Sequence, residues 1–217
     1  VVVGWRYALV GLGYGINADE WADETYTFYP DGYGVRKAVG YLEPLSWHEG
    51  SEFIVLLPPG YNPFDVYPPE IFRILSPDGK KTESIISPPG SSSWKTGGPA
   101  VFRVNYNKYD KNTPVLAVRK FEGFGSIYDG WKVDGRYISP NYWGVHFPVQ
   151  RGYPTTRQEP PGWRERAGHA SIATVTVEPF ETRTKHGKLE RKTWGWFIGN
   201  TDAPDADVLS AARSWIS

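Results

Sequence analysis

Glycine and proline divide this chain into short pieces. The 217 residues include 24 glycines and 19 prolines, and they interrupt the sequence about every 8–12 residues. Several of the intervening pieces alternate, as residues 101–106 do, and strict alternation is typical of half-buried strands. The predicted strands are 1–10, 24–30, 33–42, 51–57, 70–75, 100–106, 114–120, 130–134, 171–178 and 191–198.

Two turns and one helix complete this pattern. Tyr29-Pro30-Asp31-Gly32 predicts a hairpin turn, because proline presets φ and glycine accepts the left-handed position. Ser76-Pro77-Asp78-Gly79 repeats the same chemistry. Residues 204–215 are the one segment with helical features, with proline in the first turn and Asp205 and Asp207 at the positive end of the dipole. Residues 84–99 and 150–170 are predicted to be long loops.

Many short strands and one terminal helix predict an all-β protein. We expect an antiparallel β-sandwich of the jelly-roll or super-sandwich type with one short C-terminal helix. The length fits a single domain over residues 1–217. Because the chain contains no Met, Val1 is not an ordinary translation start. We therefore expect a fragment or processed part of a longer protein, and the rest of that parent chain would be one of its partners.

Composition excludes several classes of protein. The net charge is zero, from 24 basic and 24 acidic residues, so the basic surface of a nucleic-acid-binding protein is missing. No apolar run reaches the roughly 18–20 residues that a membrane span requires. The absence of Cys rules out disulfides, thiol catalysis and thiolate metal sites.

Aromatic residues are abundant, with 10 Trp, 14 Tyr and 10 Phe. Several tryptophans lie in glycine- and proline-rich connections, among them Trp94, Trp143 and Trp163. Amphipathic rings are enriched at binding surfaces, and on loops they suit stacking against sugars. The alternative is that most of these aromatic residues fill the core of the sandwich.

Carboxylates occur in two clusters, residues 19–24 around Trp21 and the group Glu43, Glu49 and Glu52. A glycosidase needs two carboxylates across the scissile bond, but the E-x-D-x-x-E strand pattern of sandwich-fold glucanases is missing. The first cluster is interpreted as a solvated acidic turn, with a structural calcium ion as the alternative. No other cofactor is expected.

The segment from 141 to 170 concentrates the groups that proton transfer next to a uronate carboxylate would require. Such a reaction needs a cation or amide at the carboxylate, a base for the α-proton and an acid for the leaving oxygen. The predicted catalytic residues are His146, His169, Tyr142, Arg166 and Asn141. The structural alternatives are histidines bonded to backbone carbonyls and arginines paired with Glu159 or Glu165.

Further aromatic and cationic residues are predicted to bind substrate. Arginine suits bidentate capture of carboxylate or sulfate, and tryptophan would supply platforms for sugar rings. The predicted substrate-binding residues are Trp143, Trp163, Arg151, Trp47, His48 and Arg36.

Short motifs along most of the chain carry a resemblance to a known group of proteins. They are Val2–Leu9, Trp21–Tyr26, the Tyr29–Gly32 turn with Val35-Arg36-Lys37, Trp47 and Glu49, Pro59-Gly60 with Pro63 and Asp65, Asn141-Tyr142-Trp143 with His146–Val149, Arg166 with His169 and Ser171, and Ala212–Trp215. They resemble large secreted β-sandwich proteins of polysaccharide-degrading marine bacteria and planctomycetes, a group associated with polysaccharide lyases of the ulvan-lyase type. The resemblance implies secretion and an anionic, uronate-containing glycan. Two departures are the shorter chain and the Gly144-Val145 insertion before His146.

The predicted function is carbohydrate-active. The leading hypothesis is an enzyme, a polysaccharide lyase that cleaves an acidic, uronate-containing polysaccharide, with or without sulfate groups, by β-elimination. The alternatives are a non-catalytic carbohydrate-binding or structural module of a larger secreted enzyme, and a glycoside hydrolase with a carboxylate pair. The expected partner is an acidic polysaccharide or oligosaccharide, and the expected location is secreted or periplasmic.

Overall fold

A computed structural model describes residues 1–10, 16–44, 51–57, 68, 70–86, 98–105, 111–125, 131–133, 136–138, 168–185 and 188–216. This part of the chain is built almost entirely of strands. They are β1 Val2–Val10, β2 Ile16–Phe28, β3 Tyr33–Leu42, β4 Ser51–Leu57, β5 Glu70–Leu75, β6 Thr82–Ile86, β7 Ala100–Val104, β8 Thr113–Val118, β9 Phe121–Gly125, β10 Trp131–Val133, β11 Arg136–Ile138, β12 Gly168–Val177, β13 Glu181–Lys185 and β14 Leu189–Thr201. Helix α1, Asp205–Ile216, follows the last strand.

Nine strands form one antiparallel sheet. Eight follow the order β1-β2-β3-β14-β8-β7-β5-β6, and the ninth, β13, pairs with β14. The long strand β14 pairs with β3 on one side. On its other side it pairs with β13 through its first half and with β8 through its second half. The remaining described strands form a three-stranded sheet, β4-β12-β9, and the short β10-β11 hairpin.

Helix α1 covers one face of the nine-stranded sheet, which we call the helix face. The helix buries Val208, Leu209 and Ala212 against alternate residues of the strands, such as Val101 and Phe197. Because alternate side chains on a strand point to opposite faces, the remaining residues of β7 and β14 lie on the other side. We call that side the far face.

The three-stranded sheet contacts the far face through Phe121 of β9 and Val177 of β12. All five residues of β7 are buried, so this strand is covered on both sides. On the far face, the rings of Phe102 and Phe121 meet edge to face at 5.4 Å between centroids. Phe121 begins β9 of the smaller sheet. Two sheets packed through apolar side chains form a sandwich-like fold, with the helix as an additional layer.

The prediction of an all-β antiparallel fold with a short C-terminal helix is confirmed. The predicted hairpin turn is also present. Gly32 has φ of 86°, and Tyr29 N donates to Tyr33 O at 2.8 Å to close the turn between β2 and β3. Gly79 has φ of 74° in the second turn, which joins β5 to β6.

Some boundaries predicted from the sequence are wrong. The acidic run at 19–24 is part of strand β2 rather than a turn, because it continues the alternation into residues 25–28. Strand β6 includes residues 84–86, which were predicted to begin a long loop. Three further strands, β9, β11 and β13, were not predicted, because each has only three or five residues. No helix in the described ranges is long and apolar enough to cross a bilayer.

Candidate functional site

Three aromatic rings form a continuous stack on the far face at the β1–β2 end of the large sheet. Tyr26 and Phe28 are two residues apart on β2 and therefore share a face. Their centroids are 5.9 Å apart with planes inclined by 16°. Trp5 lies diagonally across on β1, 5.2 Å from Tyr26 and inclined by 19°. We call Trp5, Tyr26 and Phe28 the aromatic row.

The ends of the aromatic row are open to solvent. Trp5 is 46% exposed and Phe28 is 45% exposed, among the most exposed large apolar side chains that the structure describes. The rings of the row are nearly parallel because strand register fixes its members. Trp5 faces Glu24, and Val3 faces Tyr26, so Trp5 is the diagonal neighbour that an aromatic ring can reach. The result is a stack three rings long, with a partly exposed ring at each end.

A buried ion pair lies beside the aromatic row on the same face. The Arg36 guanidinium donates through Nε to Oε1 of Glu24. The hydroxyl of Tyr7 donates to the other carboxylate oxygen at 3.1 Å. The Glu24 side chain is 5% exposed and that of Arg36 is 23% exposed. Both oxygens of a nearly buried carboxylate are therefore hydrogen-bonded, as burial of a charge requires.

Arg36 also connects the aromatic row to the interior. It faces Tyr26 on β2 and Trp196 on β14. The Cζ atom of Arg36 lies 5.8 Å from the centroid of Tyr26 and 4.4 Å from that of Trp196, within the range of cation–π attraction. Trp196 is 2% exposed, so the site runs from a buried indole through Arg36 to the exposed row.

The two tyrosines of this site are held in the protonated form. Burial is the main cause that raises the pKa of Tyr7 to about 12, and the Glu24 carboxylate adds to it. Burial also raises the pKa of Tyr26 to about 12, with Glu24 adding to the effect and Arg36 opposing it. At neutral pH both phenols are donors, so neither can act as a base.

Of the residues that the sequence predicts for catalysis or binding, the structure fully describes one, Arg36. Its guanidinium is committed to Glu24, and it supports the aromatic row from the side. The backbone of His169 lies in β12, opposite Leu56 of β4. The other predicted residues lie outside the described part of the chain: His146, Tyr142, Arg166, Asn141, Trp143, Trp163, Arg151, Trp47 and His48.

The sequence analysis missed the aromatic row. Its signal was present, because Glu24, Tyr26 and Phe28 occupy alternate positions of one predicted strand. The row was not predicted because residues 19–24 were interpreted as a turn, and because the loop tryptophans were predicted to be the aromatic residues that bind sugar. Strand register then adds Trp5 and Tyr7 from β1, and register is not visible in local sequence.

The acidic cluster of β2 does not converge on a metal. Glu20 and Glu24 are buried on the far face, and Asp23 lies on the helix face bound to Arg6 at 2.6 and 2.9 Å. Oε1 of Glu20 accepts the backbone N–H of Glu43 at 2.7 Å. Within the described ranges, no group of three or more His, Asp or Glu could hold a metal ion.

Comparison with known proteins identifies no family for this chain. No family model, curated protein or solved structure matches the chain. The geometry of the site is therefore the basis for assigning its function.

Proposed function

We propose that the chain is a carbohydrate-binding β-sandwich whose aromatic row binds a polysaccharide. The observation that carries this proposal is the nearly parallel stack of Trp5, Tyr26 and Phe28, whose two end rings are exposed. Exposed aromatic rings suit contact with the apolar faces of sugar rings. Two exposed rings at opposite ends of a fixed stack suit a chain of sugars better than a single sugar.

The buried pair beside the row contributes rigidity. The Arg36–Glu24 pair lies beside Tyr26, with Cζ of Arg36 5.8 Å from the centroid of its ring. Tyr26 is therefore fixed between this pair and the neighbouring rings of the row. A ring that is already fixed loses little conformational entropy when a ligand binds. The row is therefore a preorganised surface.

The acidic character of the glycan is the finer part of the proposal. It is supported by the arginine-rich segment that includes Arg151 and Arg166, because guanidinium groups bind carboxylate and sulfate in bidentate fashion. The aromatic row and the arginine-rich segment together would suit binding to an acidic polysaccharide outside the cell.

Cleavage by β-elimination is the second candidate function. Strand β12 begins at Gly168, so His169 lies where the chain enters the small sheet. The base and acid candidates are His146 and His169, with Tyr142 as the alternative.

Binding is tested by titrating the protein with ulvan, alginate, hyaluronan, pectin and a neutral glucan in a calorimeter. Loss of the ring in Trp5→Ala or Phe28→Ala is expected to weaken binding of the preferred glycan by about tenfold. Phe180→Ala is the matched control, because Phe180 is 51% exposed and packs near Gly195 of the helix face. Equal affinity in all three variants would rule out the aromatic row as the binding surface.

The same mixtures distinguish catalysis from binding. A lyase produces an unsaturated uronate with ultraviolet absorbance, whereas a hydrolase produces new reducing ends without it. Single His146→Ala and His169→Ala variants should then lose turnover if these residues transfer protons. Binding without either product identifies a non-catalytic module.

A further inference from the structure

The outer edge of β1 has a regular set of unpaired backbone groups. Strand β1 is at one end of the large sheet, and no described strand pairs with its side away from β2. Val1 and Phe28 exchange both backbone hydrogen bonds, at 2.8 and 2.7 Å. Because hydrogen-bonded and non-hydrogen-bonded pairs alternate, the outward N–H and C=O groups belong to the even residues. These are Val2, Gly4, Arg6 and Ala8.

Strand β1 itself has few of the features that protect a sheet edge, and its one irregularity is a register shift between Ala8 and Val10. Strand β1 has nine residues and contains no proline and no lysine. Val2 is 68% exposed. Its one charged residue, Arg6, makes two hydrogen bonds with Asp23. The opposite edge, β6, is only five residues long, which is one of the usual defences against edge pairing.

We propose that the β1 edge pairs antiparallel with β1 of a second copy of this chain. Since even residues must face even residues, only alternate registers are allowed. The register with Arg6 facing Arg6 would oppose like charges and is disfavoured. Of the two next longest registers, the one that avoids the register shift between Ala8 and Val10 places Trp5 opposite Trp5 of the second copy, with Gly4 facing Arg6. It forms about eight N–H···O bonds across the two-fold axis.

The side chains of this register are complementary on both faces. On the far face, Val3 meets Tyr7 of the second copy, and the two Trp5 rings meet at the axis. On the helix face, Gly4 leaves space for the long side chain of Arg6. Gly4 has no conformational need of its own, because positive φ occurs at Gly32 and Gly79 and a Cβ at Gly4 would meet only ordinary contacts of 3.4 and 3.6 Å. A glycine of this kind within a strand often marks close approach by another chain.

Pairing would also join the two aromatic rows through Trp5, so that one longer row extends across both copies. What this means for sugar binding rests on the proposed function. A polysaccharide could then contact both subunits, and occupancy of one row would raise the effective concentration at the other. Self-association is measured without any glycan. The dimer proposal can therefore be wrong while the sugar-binding proposal is right, and the sugar-binding proposal can be wrong while the dimer proposal is right.

The first test is sedimentation equilibrium of the 217-residue protein over a range of concentrations. A single strand pair is a small interface, so we expect a dimer with a dissociation constant roughly in the micromolar range. Gly4→Pro removes an outward N–H and leaves the β1–β2 ladder intact, because proline is tolerated on a free edge. It should weaken the dimer by about tenfold or more. A protein that stays monomeric at about 0.5 mM overturns the proposal.

The second test fixes the register through a disulfide, and the absence of native Cys makes it clean. Trp5→Cys places two thiols in a directly opposed, non-hydrogen-bonded pair, close enough to oxidise to a covalent dimer. In the matched control Val3→Cys, the two thiols would be roughly 13 Å apart along the strands. Rapid cross-linking of Trp5→Cys alone supports the proposed register. Equal rates in both variants, or none in either, contradict it.

Discussion

Arg103 and Asp205 join the centre of the large sheet to the first turn of α1, with Nη1 of Arg103 2.7 Å from Oδ1 of Asp205. The Arg103 side chain is 6% exposed. Its Nε and Nη2 donate to the hydroxyl of Thr113 at 3.0 and 2.6 Å, and Nη1 donates to Ala203 O at 2.8 Å. The acidic first turn that suits the helix dipole therefore also satisfies a buried cation.

Arg103→Met should destabilise the protein by about 3 kcal/mol, the lower end of the range for breaking a buried ion pair, since Asp205 keeps its contacts with Arg73. Arg73→Met is the matched control. Arg73 binds the same carboxylate at 2.9 Å, but its side chain is 32% exposed, so its loss should cost about 0.5–1 kcal/mol. Urea unfolding measures both, and equal losses would contradict the role of burial.

Gly34 and Gly4 provide a matched pair for testing backbone crowding. A Cβ at Gly34 would lie 2.5 Å from the carbonyl oxygen of Thr27, so the β2–β3 ladder would have to shift. Gly34→Ala should cost about 2 kcal/mol. Gly4→Ala, whose nearest contact would be 3.4 Å, should change the free energy of unfolding by less than about 0.5 kcal/mol. Chemical denaturation that gave similar values for both would contradict this assignment.

Local chemistry made the turns and the helix predictable. The Pro-Asp-Gly sequence of residues 30–32 specifies its own backbone, and Oδ1 of Asp31 accepts the N–H of Tyr33 at 3.1 Å. The helix was predicted at 204–215 and is found at Asp205–Ile216. In each case the determining contacts lie within a few residues.

The residues of the site are brought together by pairing between strands from distant parts of the chain, and the sequence alone does not specify that pairing. Arg36 was predicted to bind substrate, but which carboxylate it meets depends on the β2–β3 register, which pairs Tyr26 with Arg36. Trp196 reaches Arg36 from the far end of the chain. The sequence could indicate that residues 24–28 alternate, but it could not show that β1 lies beside them.

The Glu24–Arg36 pair should be important for stability. Glu24→Gln keeps the shape of the side chain but leaves the Arg36 guanidinium without its counter-charge, so it should cost about 2–4 kcal/mol. Asp23→Asn is the control on the adjacent residue. Asp23 binds Arg6 on the exposed side, with side chains 35% and 69% exposed, and its change should cost less than about 1 kcal/mol. Thermal unfolding compares the two, and a larger loss in Asp23→Asn would contradict the proposed arrangement.

Tyr7 and Tyr26 should make the protein sensitive to alkali. Folding raises the pKa of each phenol from 10.0 to about 12, so the folded chain holds these protons more tightly than the unfolded chain. The stabilisation is complete below pH 10. It is lost as the pH rises from 10 towards 12, because the unfolded state ionises first.

The double variant Tyr7→Phe/Tyr26→Phe should therefore show a shallower loss of stability across that window than the unchanged protein. Tyr29→Phe is the control for loss of a phenol hydroxyl at the surface, because Tyr29 is 53% exposed in the hairpin turn. Urea unfolding at intervals from about pH 9 to about pH 12 measures the slope. Parallel curves for the double variant and the unchanged protein would show that burial beside Glu24 does not hold these two protons.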